Sequence, residues 1–342
     1  MNTVKLYSRN WTKLQTNIMR HGKGFLSHVL IISCFFIVEY NMKGIILAGG
    51  AGTRLYPLTL VTSKQLLPVY NKPMLYYPLS TLMLARIRDI LIISTHDDTP
   101  NIMKLLGDGS QFGIRLSYMI QERSEGLAQA FTLGKDFIGN DACAIILGDN
   151  IFYGNGLGHK LASAAKCAED GNATIFGYYV EDPERFGIME FERRNKKTEE
   201  TVQVISVEEK PENPKSNYAI VGLYFYPKGV SEMAERVKPS ARGELEITSL
   251  NELYLQQNRL QAQLLGRGFT WIDAGTVDSL RRATNFVCMI EQYQGMTISA
   301  PEEIAYRLGW IDDKQLEQSA AKYGKSPYGE HLHAVLEGKI IL

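Results

Sequence analysis

The chain has 342 residues, of which 45% are hydrophobic and 22% are charged, a composition typical of a globular protein with a well-buried core. Basic and acidic residues number 37 each, so the formal net charge is zero and gives no support to nucleic-acid binding or to binding at a charged membrane surface. The scattered cysteines lack a C-x-x-C pair, which favours free thiols over disulfides or a zinc site; they are Cys34, Cys143, Cys167 and Cys288.

The N-terminal stretch, residues 1–41, differs from the rest of the chain. Basic residues precede an apolar run from Phe25 to Val38, which is the order found in a signal peptide or signal anchor. The run has about 14 residues, fewer than the roughly 18 to 20 that span a bilayer, and no small-x-small cleavage site follows it. We expect residues 1–41 to lie outside the main fold, as a disordered extension or a stretch upstream of the true start, and we expect no stable membrane association.

A glycine-rich loop follows the first predicted strand. Lys43 to Ala48 is a short apolar run that predicts a buried parallel strand. The run Gly49-Gly-Ala-Gly52 then permits a tight loop with φ > 0, whose backbone N–H groups form a concave site for phosphate oxygens. Arg54 and Lys64 add positive charge. The pattern predicts a cradle for a polyphosphate, and a turn that only lets a helix pack on its strand is the alternative.

Two common phosphate-binding motifs are absent from the sequence. A dinucleotide fingerprint needs a glycine where the chain has Leu55. A Walker A loop ends in Gly-Lys-Ser/Thr, and the triplet Gly324-Lys-Ser326 has Ser319 where the first glycine of that motif should stand. The cradle therefore belongs to another class of protein.

From Lys43 onward, apolar runs alternate with helical periodicity, which predicts an α/β sheet with helices on both faces. Ligands of such sheets gather at the carboxyl ends of the strands. The predicted strands of this half are Asp89–Ser94, Ile114–Ile120 and Cys143–Leu147, and the predicted helices are Pro73–Arg86, Asn101–Leu106 and Leu127–Phe137.

The second half is richer in strand patterns and ends in helices. The charged link Glu192–Glu200 predicts a solvated hairpin tip. Asp278–Gln294 predicts a long helix that closes the main domain. The other predicted strands are Ala173–Val180, Gly187–Phe191, Val202–Glu208, Ala219–Tyr226 and Gln261–Leu265, and the other predicted helices are Val230–Val237, Ile247–Asn258, Pro301–Gly309, Asp312–Tyr323 and Tyr328–Glu337.

Three motifs together resemble the sugar-1-phosphate nucleotidyltransferases, and within them the short type of glucose-1-phosphate thymidylyltransferase. They are Leu47-Ala-Gly-Gly-Ala-Gly-Thr-Arg-Leu55, Ser63-Lys-Gln-Leu-Leu-Pro-Val69 and Lys72-Pro-Met-Leu-Tyr-Tyr-Pro78. The resemblance implies a Rossmann-like catalytic domain over residues 42–290, with a mixed, mostly parallel sheet and a small β-rich sugar-binding part. It implies a helical C-terminal region over residues 291–342.

The activity implied by this resemblance is attack by the phosphate of glucose 1-phosphate on the α-phosphorus of dTTP, with release of pyrophosphate. Such chemistry needs charge neutralisation and in-line positioning more than a covalent intermediate. The resemblance assigns catalytic roles to Arg54, Lys64 and Lys210, and it assigns a Mg²⁺ ion to Asp149 and Asp273. The alternative for Asp149 is a loop-capping aspartate, and Asp273 taken alone is equally compatible with a structural role.

Substrate-binding residues follow from the same resemblance. A side-chain amide at position 121 can pair with N3–H and a carbonyl of thymine or uracil. A solvated charge pair is the alternative for Glu209 and Lys210, and a core aromatic is the alternative for Trp271. The implied nucleotide-binding residues are Gly49, Gly50, Gly52, Thr53, Gln121 and Gly126, and the implied sugar-phosphate residues are Asn150, Gly187, Glu209, Lys210, Ile220, Tyr224, Arg242 and Trp271.

Several positions depart from the usual pattern of this family. Glu122 and Ser124 stand where prolines are usual, which affects the base-contacting loop. Ala274, Val277 and Ser249 replace a threonine, a histidine and an aspartate. These departures bear on detailed specificity and leave the phosphate, metal and sugar-phosphate positions intact.

Alternatives of the same and of other classes stay open at this point. Use of UTP in place of dTTP is the nearest, and a catalytically inactive regulatory homologue is the next. An NAD-dependent oxidoreductase lacks its glycine fingerprint here. The resemblance further implies a cytoplasmic homotetramer that feeds deoxysugar and cell-surface polysaccharide synthesis, such as dTDP-rhamnose synthesis.

Overall fold

The computed structural model describes residues 41–192 and 201–340. The extension predicted over residues 1–41 and the hairpin tip predicted over 192–200 lie outside the described residues, apart from the flanking Asn41 and Glu192. Within the described part, no helix combines the length and the apolar character that crossing a bilayer requires.

The described strands include a large sheet and two short ribbons. They are β1 (Met42–Leu47), β2 (Pro68–Val69), β3 (Lys72–Pro73), β4 (Asp89–Ser94), β5 (Arg115–Ile120), β6 (Ala142–Leu147), β7 (Asn150–Gly154), β8 (Ala173–Tyr179), β9 (Gly187–Phe191), β10 (Thr201–Glu209), β11 (Tyr218–Tyr226), β12 (Leu260–Leu265) and β13 (Phe269–Asp273).

The described helices alternate with these strands and then end the chain. They are α1 (Tyr76–Leu84), α2 (Thr99–Leu106), α3 (Gln129–Leu133), α4 (Lys135–Ile138), α5 (Leu157–Glu169), α6 (Val230–Ala234), α7 (Ile247–Gln256), α8 (Val277–Gln294), α9 (Pro301–Arg307), α10 (Asp313–Tyr323) and α11 (Pro327–Leu336).

The main sheet has the strand order β5-β4-β1-β6-β11-β8-β12-β10-β9. The half that comprises β5, β4, β1 and β6 is parallel throughout. β11 then joins this half to the other and is antiparallel to both β6 and β8. β8 and β12 are parallel, whereas β10 is antiparallel to β12 and β9. The predicted α/β class with a mixed sheet is confirmed, and its parallel pairing is concentrated in the first half.

Two hydrophobic cores place the elements relative to each other within residues 41–340. The larger core packs the parallel strands against α3, α4 and α7, with Ile45, Phe131 and Tyr226 fully buried. The smaller core joins the β7–β13 ribbon to α8, α1 and β2 through Ile151, Ala274 and neighbouring apolar residues. The second core therefore fixes where β13 ends, which is the position of Asp273.

Most predicted bounds agree with the structure to within a few residues, and two differences have physical reasons. The helix predicted over Leu127–Phe137 is divided into α3 and α4 at Gly134, where a Cβ would lie 3.3 Å from Ile45 Cδ1. β7, β13 and α5 were not predicted. β7 and β13 pair only with each other, across more than a hundred residues of sequence, so local apolar alternation gives little sign of them.

A buried ion pair ties α8 to the β2–β3 ribbon. Lys72 Nζ lies 2.9 Å from Glu291 Oε1, and the Lys72 side chain is 1% exposed. Burial lowers the pKa of Lys72, against the opposing effect of Glu291. Glu291 also accepts hydrogen bonds from Asn71 Nδ2 at 2.7 Å and from the Ile298 N–H at 3.0 Å. One carboxylate thus satisfies three donors, two from the adjacent residues Asn71 and Lys72 and one from Ile298.

We expect Glu291→Ala to lower the free energy of unfolding by about 3 to 5 kcal/mol, because it leaves the Lys72 ammonium buried without its partner. Chemical denaturation followed by circular dichroism measures the change. Glu235→Ala is the matched control, since Glu235 pairs with Lys135 at an exposed site, where solvent screening leaves the pair little effect on the free energy of unfolding. Equal losses in the two variants would contradict the assignment.

Candidate functional site

A cavity of about 350 Å³ lies where β1 and β6 end, between these strands and β9, β10, β11 and β13. Carboxyl ends of parallel strands are where ligands of open α/β sheets collect. The structure brings most of the predicted site residues to this one cavity: Gly49, Arg54, Lys64, Gln121, Asp149, Asn150, Gly187, Glu209, Lys210, Ile220, Tyr224, Arg242, Trp271 and Asp273.

Four predicted nucleotide-binding residues do not line the cavity and instead shape its walls. Gly50 and Gly52 have φ of +98° and +60°, and Thr53 begins a short 3₁₀ turn. The Gly52 carbonyl accepts a hydrogen bond from Thr59 Oγ1 at 2.8 Å. Gly126 lies between the lining residues Ser124 and Leu127. Their direct contact with a nucleotide stays a prediction.

Two buried carboxylates form one end of the cavity. Asp149 is the second residue after the end of β6, and its carbonyl accepts the Ala274 N–H at 2.9 Å. β13 pairs with β7 so that Asp273 stands opposite Asn150, the residue after Asp149. Two chain segments distant in sequence thus place their carboxylates as neighbours.

The charges around these carboxylates differ. Burial alone would raise the pKa of Asp149, but the ammonium of Lys64, 2.6 Å from Asp149 Oδ2, outweighs it and holds that pKa below its usual value. Burial and the neighbouring charge of Asp149 raise the pKa of Asp273. The guanidinium of Arg54 lies beside Asp273, where a Cβ at Gly275 would meet Arg54 Nη2 at 2.8 Å. Cations and carboxylates therefore alternate at this end.

The donor set fits a divalent cation. Mg²⁺ is commonly bound by one or two carboxylates, with substrate phosphates and water completing the octahedron. Asp149 and Asp273 supply two carboxylates whose mutual repulsion such an ion would relieve. No group of three or more His, Cys, Asp or Glu side chains suited to a metal is gathered within residues 41–192 and 201–340.

Asn150 connects the carboxylate end to the rest of the cavity. Its Oδ1 accepts hydrogen bonds from Trp271 Nε1 at 2.6 Å and from the Gly222 N–H at 3.2 Å. Its Nδ2 donates to Asp149 Oδ1 at 3.0 Å. Trp271, predicted as a pocket wall, is thereby linked to Asp149 through a single buried amide.

The opposite end of the cavity is lined by Glu209, Lys210 and Arg242. Thr248 Oγ1 donates to Glu209 Oε2 at 2.6 Å, and Arg242 Nη2 lies 3.2 Å from Glu209 Oε1 and 2.8 Å from Glu246 Oε1. These bonds fix Glu209 and leave the half-exposed guanidinium beside the cavity. A sugar hydroxyl and a phosphate are the ligands that such a carboxylate and cation suit.

Lys210 has an unusual backbone conformation. Its φ is +42°, in the left-handed region, and its N–H donates to the Phe186 carbonyl at 3.1 Å. A non-glycine residue in that region carries strain of about 1 kcal/mol or more, and such strain is concentrated at functional sites. β10 ends at Glu209, and Lys210 borders the cavity directly after it.

The cavity also has lining residues that the sequence analysis did not identify. Thr248 donates a hydrogen bond to Glu209, and Glu246 accepts one from Arg242. No motif in the sequence indicates these two contacts. For Arg185, the sequence offers one indication, its position two residues before the predicted site residue Gly187. These additional residues are Leu47, Ser124, Leu127, Leu147, Arg185, Phe186, Gly222, Glu244, Glu246, Ile247 and Thr248.

The cavity wall that contains Ser124 and Leu127, which the family resemblance predicts to face the base and which is named the base-side wall, is fixed by main-chain bonds. The Leu245 N–H donates to the Glu125 carbonyl at 2.6 Å, and the Ala128 N–H donates to the Leu245 carbonyl at 3.0 Å. Gly126 lies between these bonds with φ +111°, and a Cβ there would lie 2.5 Å from the Leu245 nitrogen. Only glycine fits this position.

Known proteins resemble this chain over most of its length. The nucleotidyl transferase family model matches residues 43–289. A glucose-1-phosphate thymidylyltransferase from Neisseria meningitidis is 53% identical over 296 residues, covering 86% of this chain and 100% of the relative. One from Mycobacterium tuberculosis H37Rv is 52% identical over 296 residues, covering 86% of this chain and 99% of the relative.

Solved structures agree with these sequence matches. A Bacillus anthracis protein assigned as a glucose-1-phosphate thymidylyltransferase, crystallised with sucrose, has a TM-score of 0.64 and 42% identity, covering 72% of this chain and 94% of its own. A UDP-glucose pyrophosphorylase complexed with UDP-glucose has a TM-score of 0.64 at 22% identity, covering 73% of this chain and 99% of its own. The second match shows a shared fold alone.

We expect Gly126→Ala to lower the free energy of unfolding by roughly 2 kcal/mol or more, because the new methyl group meets the Leu245 backbone and the φ is unfavourable. Gly295→Ala is the control. Gly295 also has positive φ, in the left-handed region with φ 68° and ψ 20°, but nothing lies within 4 Å of its Cβ position, so only about 1 kcal/mol of strain is expected there. Thermal unfolding measures both, and equal shifts would contradict the close contact at Leu245.

Proposed function

Because this chain belongs to the nucleotidyl transferase family, and within it to the glucose-1-phosphate thymidylyltransferases, we propose that it transfers the thymidylyl group of dTTP to α-D-glucose 1-phosphate. The products are dTDP-glucose and pyrophosphate. The observation that carries the proposal is one cavity with two different ends: paired carboxylates among cations at one, and Glu209 with Lys210 and Arg242 at the other.

The nucleotide occupies the end next to the glycine loop. Gln121 and Gly49 border the place of the base, and the backbone of the loop after β1 faces the triphosphate. Arg54 and Lys64 supply positive charge for the phosphate oxygens, Arg54 as a planar fork and Lys64 as a point charge. This arrangement orients the α-phosphorus toward the middle of the cavity.

The sugar phosphate occupies the other end. Glu209, held by Thr248, accepts hydrogen bonds from sugar hydroxyls, and Lys210 with Arg242 binds the phosphate. Trp271 and Tyr224 line the cavity beside the sugar ring. Holding both phosphates at fixed positions converts a bimolecular reaction into attack within one complex, which is the larger part of such catalysis.

Asp149 and Asp273 would hold the Mg²⁺ ion. When bound, the ion neutralises charge on the phosphates that approach each other. The chain itself contributes Lys64, which donates a hydrogen bond to Asp149 Oδ2, and Asn150, which orients that carboxylate. No side chain of the cavity has to act as a nucleophile.

Two alternatives differ from this function in substrate or in activity. A UTP-specific enzyme would use the same cavity without the thymine methyl group, a difference worth about 1 to 3 kcal/mol in an apolar pocket. An inactive regulatory homologue would not need the paired cations and carboxylates. A homotetrameric assembly, a cytoplasmic location and product use in dTDP-rhamnose and polysaccharide synthesis stay predictions from the family resemblance.

A substrate matrix tests the proposed function. dTTP and UTP are each combined with glucose 1-phosphate and other hexose 1-phosphates in the presence of Mg²⁺, and pyrophosphate release is measured. We expect the highest kcat/KM for dTTP with glucose 1-phosphate, and a loss of roughly 10- to 200-fold with UTP. A preference for UTP would favour the uridylyl alternative, and no release with any pair would favour the inactive homologue.

The metal site is tested by Asp149→Asn. We expect kcat to fall roughly a hundredfold or more, because the change removes one carboxylate charge from the cation site while preserving shape, and we expect Tm to change by only a few degrees. Asp141→Asn is the matched control at the start of the same strand, outside the cavity, and should retain the parent rate. Near-normal turnover of Asp149→Asn would remove Asp149 from the ligand pair.

A further inference from the structure

Three side chains form a hydrogen-bonded chain behind the base-side wall of the cavity. Gln121 Nε2 donates to Gln129 Oε1 at 2.7 Å. The same Gln129 oxygen accepts the Glu125 N–H at 3.1 Å, and Gln129 Nε2 donates to Glu125 Oε2 at 2.9 Å. The Gln129 side-chain oxygen therefore accepts two hydrogen bonds, and its NH₂ group donates one.

The chemistry of Glu125 determines which way both amides face. A backbone N–H can only donate, so the Gln129 atom that meets it must be the oxygen. The carboxylate of Glu125 accepts, which requires the Gln129 NH₂ group on that side. Because Gln129 then presents an oxygen to Gln121, Gln121 must turn its own NH₂ group toward Gln129.

This orientation leaves the oxygen of Gln121 directed at the glycine loop. A Cβ at Gly49 would lie 2.6 Å from Gln121 Oε1, and both residues line the cavity. Within residues 41–192 and 201–340, no donor is bonded to that oxygen. The second hydrogen of the Gln121 NH₂ group is not used by Gln129. The cavity is thus offered an acceptor beside a donor, in a fixed order.

The support behind the three side chains is rigid. Gln129 is the first residue of α3, and Glu125 is bonded through its carbonyl to the Leu245 N–H. Gln121 itself is 6% exposed, and its N–H donates to the Ser94 carbonyl at 2.8 Å. A reversed Gln121 amide would place its oxygen against the Gln129 oxygen and lose the bond between them.

We propose that Gln129 is a positioning residue that locks the Gln121 amide and so makes the site select keto pyrimidines over cytosine, an inference that rests on the proposed function. Thymine and uracil present the N3–H donor beside the O4 acceptor, which matches the locked order. Cytosine, in the same place, presents the N3 acceptor beside the N4 donor. Cytosine would need the reversed amide.

The test compares kcat/KM for dTTP and dCTP, with glucose 1-phosphate, in the parent protein and in Gln129→Met and Gln129→Glu. The ratio of the two values cancels effects on the triphosphate, on the sugar phosphate and on the folded fraction. We expect Gln129→Met to lower the dTTP/dCTP ratio by roughly 10- to 100-fold, because the Gln121 amide can then reverse. Gln129→Glu is made together with Glu125→Gln, so that the new carboxylate meets an amide donor at position 125 and not a second carboxylate. This exchange keeps an oxygen for Gln121 Nε2 and for the backbone N–H of residue 125, and it should hold the ratio within about threefold of the parent.

Gln111→Met is the matched control, because Gln111 also donates one amide bond, to the Leu106 carbonyl, and lies outside the cavity. Its ratio should equal that of the parent. An unchanged ratio in Gln129→Met, an equal loss with both nucleotides, or a ratio in the double exchange as low as in Gln129→Met would overturn the proposal.

The outcome is kept separate from that of the proposed function by measuring binding as well. Titration calorimetry of dTTP and dCTP gives the same ratio from Kd values without turnover. A parent protein that binds dTTP more tightly than dCTP but releases no pyrophosphate would refute the proposed transfer. The role of Gln129 would then be decided by comparing the Kd ratios of the parent and of the Gln129 variants. A parent that binds or uses both nucleotides equally would refute the locked amide.

Discussion

The cavity depends on keeping two carboxylates buried as neighbours. Like charges in a desolvated place repel each other, and the raised pKa of Asp273 reflects this. The fold stabilises the two neighbouring carboxylates by placing Lys64 against Asp149 and Arg54 beside Asp273. A hydrogen bond from the Ala274 N–H to the Asp149 carbonyl joins the two chain segments that carry them. In the proposed function, a bound cation would relieve the repulsion that remains.

The β7–β13 ribbon is the device that brings these carboxylates together. It lies outside the main sheet and is held by a core of its own, which includes α8 and the ribbon's apolar residues Ile151 and Ile272. Asn150, at the start of β7, donates a hydrogen bond to Asp149 and accepts hydrogen bonds from Trp271 and from the Gly222 N–H. Its amide links the position of Asp149 to those of Trp271 and Gly222. The carboxylate of Asp149 and the indole of Trp271 are therefore parts of one hydrogen-bonded unit.

Sequence reasoning found the elements whose residues carry a local pattern. The predicted bounds of the strands Asp89–Ser94 and Gly187–Phe191 are the same as those in the structure, because each apolar stretch gives way to polar residues. The β7–β13 ribbon was not predicted, because its two strands lie far apart in the sequence and pair only in the folded chain. Site residues such as Asp149 were predicted through family motifs, whereas Thr248 and Gln129 were not, because each acts through another side chain and only packing reveals that contact.

The antiparallel pairing of β11 with β6 has a mechanical consequence. These strands cross the floor of the cavity, with Leu223 opposite Ile146 and Tyr226 opposite Cys143 in a continuous ladder. A hinge between the parallel and mixed halves of the sheet would have to break that ladder and expose its buried side chains. A relative movement of the two halves at this seam would therefore cost buried hydrogen bonds and apolar contacts.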